Sequence, residues 1–155
     1  MFALIIILED VHVFLGNGTH SNEFKLLLQD GYSAGYSVLI GAKNIVYNIS
    51  LDDLQENVPQ RITWKSDPVT TDLCLIKGRS QDECHNFIQV LEKQPNNTLL
   101  VCGTNAFSPK CRTYAKNRDH VFEVVQEFDG RGYSPYSPTY SNTLISQGKL
   151  TGFSS

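Results

Sequence analysis

The chain is written almost throughout in short β-type runs separated by turn formers, and this pattern constrains its fold more than any other feature. Val38-Leu39-Ile40-Gly41 is a short apolar run. From Asn44 to Leu51 the pattern alternates: Ile45, Tyr47, Ile49 and Leu51 share one face, Asn48 and Ser50 the other. A glycan on Asn48 is therefore expected to point away from the packed side. Arg61 to Lys65 reads as a short strand ended by Asp67-Pro68. Thr98-Leu99-Leu100-Val101-Cys102 is apolar on both faces, as a strand buried between packed sheets should be. Phe122, Val124 and Phe128 read as one face of a further strand, opposite Glu123 and Glu127. Asn142-Thr143-Leu144-Ile145 and Lys149-Leu150 flank Gln147-Gly148, which reads as a hairpin. Turn signals at intervals of about 8 to 12 residues point to an all-β sandwich, barrel or propeller. One segment reads both ways. Phe87, Val90 and Leu91 fit a helical stripe, yet Cys84 to Leu91 is short and bounded by Asn and Pro. Gly35-Tyr36-Ser37 repeats Gly31-Tyr32-Ser33 and reads as a local duplication in a loop.

The 155 residues allow one ordinary domain, or a piece of a larger one. A hydrophobic share of 41% with a net charge of only -3 excludes a disordered chain. The slight acidic excess, 16 Asp plus Glu against 13 Lys plus Arg, argues against nucleic acid as a partner. No apolar run approaches the roughly 20 residues of a transmembrane helix. The run Phe2 to Leu8 has about the minimum length of a signal-peptide core, but no Lys or Arg precedes it and no small-residue cleavage site follows. Residues 1–13 therefore read as a degraded signal peptide or N-terminal extension, with a buried strand as the alternative.

The four cysteines are Cys74, Cys84, Cys102 and Cys111. They form no CxxC, so a zinc ribbon or thioredoxin-like motif is disfavoured. Three disulfide pairings exist, and four reduced cysteines in a cytosolic protein are the alternative. Local pairing would close two loops of similar size, each reducing unfolded-chain entropy by about 2.7 kcal/mol in the usual treatment. Both loops hold turn formers, Lys77-Gly78-Arg79-Ser80 in one, Gly103-Thr104-Asn105 and Ser108-Pro109 in the other. Three sequons, at Asn17, Asn48 and Asn96, add weight to the secretory pathway, and Asn17 and Asn96 lie in turn-like polar stretches.

No catalytic constellation stands out. His12, His20, His85 and His120 lack metal-ligand spacing, and no phosphate loop, G-x-S-x-G or HExxH occurs. Asp52-Asp53 reads as a turn and Asp82-Glu83 as solvent-facing. Arg61, Lys65, Arg79, Lys110 and Arg112 read as a solvated face. No cofactor or metal is implied.

Two segments carry a resemblance. Cys74 to Ile88, with its Lys77-Gly78-Arg79-Ser80 and Cys84-His85-Asn86-Phe87, is followed by Val101-Cys102-Gly103-Thr104-Asn105-Ala106-Phe107-Ser108-Pro109-Lys110-Cys111. Together they resemble the sema domain of a semaphorin. Phe14 to Thr19, Val38 to Leu51 and Ile62-Thr63-Trp64-Lys65-Ser66 fit the family's preceding strands in the same order. The wording is nearest the membrane-anchored semaphorins, invertebrate class one and the related classes five and six. The resemblance implies a seven-bladed β-propeller, of which residues 14–155 supply a partial sema domain: the first blade and the beginning or most of the second. It implies the local pairing, Cys74 with Cys84 and Cys102 with Cys111, and a strand in the ambiguous Cys84 to Leu91 segment. It also implies a non-enzymatic guidance ligand, secreted or on the outer face of the plasma membrane. In full-length form such a ligand binds plexin receptors, typically as a homodimer, and steers axons and migrating cells.

Three departures stand out, one being the doubled Gly-Tyr-Ser loop, which reads as an insertion. Gly132-Tyr133-Ser134-Pro135-Tyr136-Ser137-Pro138 has Ser134 where the family has Cys. The family's propeller runs on for roughly two thirds more, which places the plexin-contacting blades beyond Ser155. A blade or two alone leaves sheet faces and edges open, so the isolated polypeptide is expected to fold poorly. The competing readings are a sema domain of a plexin-type receptor, a small secreted β-scaffold enzyme, and an intracellular interaction module with reduced thiols.

Overall fold

The computed structural model describes residues 36–140 with their side chains, and the backbone of strands at 3–7, 10–14, 26–31, 143–147 and 150–154. Two four-stranded antiparallel sheets form its centre. The first runs β3 (Leu26–Gly31), β4 (Tyr36–Ala42), β5 (Ile45–Ser50) and β6 (Ile62–Thr63), in that spatial order. A helix, α1 (Pro68–Ile76), leads to the second sheet. That sheet is ordered β10, β9, β8, β7, from β7 (Ile88–Gln94), β8 (Thr98–Gly103), β9 (Lys110–Lys116) and β10 (Phe122–Asp129). Each is a meander in which sequence neighbours pair, the arrangement short connections favour. Two hairpins precede and follow them along the chain: β1 (Ala3–Ile7) with β2 (Asp10–Phe14), and β11 (Thr143–Gln147) with β12 (Leu150–Ser154). Gln147 faces Leu150, as the expected hairpin requires.

The sheets pack face to face, with β3 and β4 against β7. Leu39, Val46, Ile62 and Trp64 of the first side meet Ile88, Leu99, Val101 and Tyr114 of the second in one buried cluster. The opposite face of the first sheet buries Ile40, Ile45, Tyr47 and Ile49. That of the second buries Val90, Leu100, Cys102 and Cys111. β8 is thus covered on both sides, as its doubly apolar sequence requires. So is β5, and here the sequence expectation fails. Asn48 does not face solvent: it is 1% exposed, and its Nδ2 donates to Gln60 Oε1 at 2.9 Å.

β10 corrects a second expectation. Val124 pairs with Tyr114 but Gln126 with Thr113, leaving Val125 as an extra residue in a β-bulge. One inserted residue reverses the alternation beyond it. Phe122 packs with the inter-sheet cluster and Phe128 with the far-face cluster, so the two do not share a face. Glu127, now opposite Arg112, shares the face of Phe122 instead.

The Cys84 to Leu91 segment resolves as turn and strand, with β7 beginning at Ile88. The helical stripe is not realised. Helix instead forms where none was read. Asp67 caps it, its Oδ1 accepting from Thr70 N at 2.9 Å, and Pro68 supplies a preset first turn. Only Cys74 of α1 is buried.

Asn86, fully buried, ties the sheets together at one end. Its backbone N–H donates to Asn44 Oδ1 at 3.0 Å and its carbonyl accepts from Asn44 N–H at 2.6 Å. Its Nδ2 donates to Trp64 O at 3.1 Å, and its Oδ1 accepts from Asn105 N–H at 3.0 Å. Thr104 Oγ1 accepts from Phe87 N–H and donates to the His85 carbonyl. Gly103 leaves the room this network needs, because a Cβ there would stand 2.1 Å from Asn86 Oδ1. Gly103→Ala is therefore expected to destabilise the chain by about 2–4 kcal/mol, through displacement of the Asn86 amide. Urea unfolding followed by Trp64 fluorescence measures it; an unchanged midpoint would contradict the role given to Asn86.

Candidate functional site

The connections at the Asn86 end converge on one structured surface. The disulfides set its frame. Cys74 Sγ bonds Cys84, with the Cα atoms 5.7 Å apart, and Cys102 bonds Cys111 at 4.1 Å. The second pair stands directly opposite in the β8–β9 register. The first fastens α1 to the segment that enters β7. No described cysteine is free.

Between Cys102 and Cys111 the chain makes an uncommon turn. Asn105, Ala106 and Phe107 all have left-handed backbones, at φ 43°, 53° and 60°. For residues other than glycine each such conformation costs on the order of 1–3 kcal/mol and persists only where surroundings enforce it. Here Asn105 Nδ2 donates to the Ser108 carbonyl, Ala106 N–H to the His85 carbonyl, and Ser108 N–H to the Thr104 carbonyl, each at 3.0 Å. Ala106 packs against the Cys74–Cys84 bridge. The turn presents Phe107, whose ring lies 5.3 Å from Tyr136 and 4.1 Å from the Arg79 guanidinium. Glu83, read from sequence as solvent-facing, accepts from Ser137 Oγ at 3.1 Å and so holds the 130–140 segment onto this surface. Ser134, read from sequence as standing where a cysteine is expected, is buried, with its Oγ donating to the Pro135 carbonyl at 3.3 Å.

The cations expected to form a solvated face are mostly engaged. Arg61 pairs with Glu56 through two hydrogen bonds of 2.6 Å. Arg112 lies over the Trp64 ring at 4.5 Å and donates to Glu127 at 2.7 Å, while Lys110 reaches the other Glu127 oxygen at 2.7 Å. Only the bulge at Val125 allows this, since it brings Glu127 to the side of the β9 cations. Lys65 remains exposed. Among the histidines, His85 is held by the Asn44 and Thr104 side chains and His120 sits in the β9–β10 turn, apart from one another. No group of three His, Cys, Asp or Glu side chains among the described residues could hold a metal ion. Among the described residues no helix is long and apolar enough to cross a membrane. Of the sequons, Asn96 is exposed in a tight turn, Asn48 is buried, and Asn17, like His20, lies outside the described residues.

Comparison with known proteins addresses what this surface belongs to. Over 144 residues, 92% of the chain, it is 49% identical to Semaphorin-1A of Schistocerca americana. This chain belongs to the semaphorin family. Semaphorin-6A of Mus musculus is 38% identical over 118 residues, 74% of the chain. A solved structure of Drosophila Plexin A in complex with Semaphorin 1b matches with a TM-score of 0.70 at 36% identity, covering 87% of this chain and 24% of that one. No protein-family model matches. The chain spans 19% of the length of the first of these relatives and 11% of the second. The two four-stranded sheets are accordingly blades of the sema β-propeller, and the Asn86 network joins one semaphorin blade to the next. The doubly covered β5 and β8 follow from this, because a propeller blade is packed on both faces.

The Glu127 clasp has a pH signature. Hydrogen bonding from Lys110 lowers the Glu127 pKa below its ordinary value; partial burial opposes this, and Arg112 adds to the lowering. A carboxylate with a depressed folded pKa stabilises the fold above its unfolded pKa, and that contribution fades as pH falls through the folded value. Glu127→Gln is expected to lower stability at pH 7 and to flatten the loss of stability between neutral and acid pH. Thermal melts of both forms across that range check this, and parallel profiles would contradict it.

Proposed function

We propose that this chain supplies two blades of an extracellular semaphorin guidance ligand, and that the full-length protein binds a plexin receptor and steers growing axons and migrating cells. The observation that carries the reading is the likeness to the structure of Plexin A in complex with Semaphorin 1b, across 87% of this chain. Two disulfides closing short connections suit an oxidising compartment. The protein acts by binding and is not an enzyme; the full-length form is a homodimer, secreted or held at the cell surface.

In this reading the blades are scaffold. Their side chains are spent on packing, on the Asn86 network and on local ion pairs. Asn96 carries a glycan, since its turn is exposed. Asn48 carries none, since its Nδ2, the atom that would be glycosylated, is buried and already bonded to Gln60.

Two measurements follow. Full-length protein is expected to bind a plexin A ectodomain saturably in surface plasmon resonance and to sediment as a dimer; a correctly folded protein with no plexin affinity would overturn the reading. Asn96→Gln is expected to raise electrophoretic mobility by one glycan that an endoglycosidase removes from the unmodified sequence. Asn48→Gln leaves mobility unchanged, and a shift with Asn48→Gln would contradict the assignment.

A further inference from the structure

A cleft of about 520 Å³ opens beside the left-handed turn, between the end of α1, the end of β10 and the 130–140 segment. We propose that it binds an anionic saccharide unit. Its size falls within the range of ligand sites, roughly 300–1,000 Å³, but its walls do not suit an apolar ligand. Phe107 and Tyr136 supply rings, and Tyr136 is 43% exposed. Glu127, Asp129, Arg131 and Lys77 supply charge of both signs.

The polar groups narrow the ligand further. Asp129 pairs with Arg131, and Glu127 with the two β9 cations, so each carboxylate is neutralised yet keeps acceptor sites. An apolar ligand would strand these groups without partners. A run of acidic side chains or phosphates brings only acceptors to these two carboxylates and cannot donate to them. A hydroxyl-rich ligand both donates to Glu127 and Asp129 and accepts from Arg131. The apolar face of a sugar ring also suits the exposed Tyr136 ring.

Lys77 adds the charge preference. Its ammonium lies 5.8 Å from the Phe107 ring, and among the described residues no carboxylate pairs with it. A single carboxylate or sulfate on the sugar satisfies it. The left-handed turn is an independent reason to look here. Three strained residues in succession place Phe107 at this cleft, and strain maintained against its cost clusters at binding sites. The proposal does not depend on plexin binding.

The test titrates the full chain with a hyaluronan hexasaccharide, carrying carboxylates alone, a heparin hexasaccharide, carrying sulfates as well, and neutral maltohexaose. At least one anionic saccharide is expected to bind about tenfold tighter than the neutral one, and the preferred one identifies carboxylate or sulfate as the recognised group. Lys77→Ala and Tyr136→Ala are each expected to weaken it about tenfold. Arg118→Ala removes an exposed cation from the β9–β10 turn at the other end of the strands and is expected to change affinity by less than about twofold. Equal binding of all three saccharides overturns the proposal, as does equal weakening by Lys77→Ala and Arg118→Ala, which marks diffuse attraction. Binding of a hexaglutamate peptide with the saccharides inert overturns it too. Should Tyr136→Ala disturb folding, seen by near-ultraviolet circular dichroism, the exposed Lys77 still decides.

Discussion

Everything at one end of this molecule depends on a single buried amide. Asn86 has no apolar contribution to make, and a polar side chain with no exposure is tolerated only when its groups are satisfied. Its side-chain amide bonds Trp64 beyond β6 and Asn105 in the strained turn, and its own backbone bonds Asn44 beyond β4. Each bond by itself is a modest stabiliser. Together they fix how one blade sits on the next, because shifting either sheet would leave several buried groups unpaired at once. The hydrophobic cluster around Trp64 and Tyr114 holds the sheets together, but apolar contact is non-directional and fixes register poorly. Direction comes from the amide.

The disulfides do a different job. Cys102 and Cys111 join neighbours that the β8–β9 ladder already pairs, so their bridge closes the loop carrying the strained turn. Cys74–Cys84 retains a helix that packing alone would not. With Cys74 its only buried residue, and with Val69, Leu73, Leu75 and Ile76 exposed, α1 lacks the inward apolar stripe that normally stabilises a short helix. The bridge and the Asp67 cap replace that stripe.

This explains what could be read from the residues and what could not. β5, β8 and the final hairpin were legible because alternation and doubly apolar runs are local signals. α1 was missed because helix is ordinarily read from periodic burial, which α1 does not have; its one local signal was Asp67-Pro68 with Thr70 three residues after the cap. The bulge at Val125 has no signature in its own strand, since the extra residue exists only relative to β9. Asn48 misled for a related reason. Alternation reports one apolar face and one polar face, but says nothing of whether a second layer covers the polar one, and Gln60 lies twelve residues away. The Asn86 network draws partners up to 42 residues distant in sequence, which only the folded chain brings together.

Ser134, where the sequence reading expects a cysteine, sits in a segment that other contacts hold in place. The position is buried, so a hydroxyl there needs a partner. Its Oγ reaches the Pro135 carbonyl, and its backbone N–H donates to the Gly130 carbonyl at 2.9 Å. Gly130 in turn is closed in by the Lys110 backbone, 2.6 Å from where its Cβ would be, which leaves space only for glycine. The segment is therefore positioned by backbone contacts on one side and by Glu83 and Ser137 on the other. Neither uses the chemistry of residue 134. All four cysteines are already committed to their two bridges, so a thiol at this position would have no described partner to oxidise with. Serine occupies nearly the same volume with a satisfied hydroxyl, and the scaffold that holds Tyr136 against Phe107 is preserved.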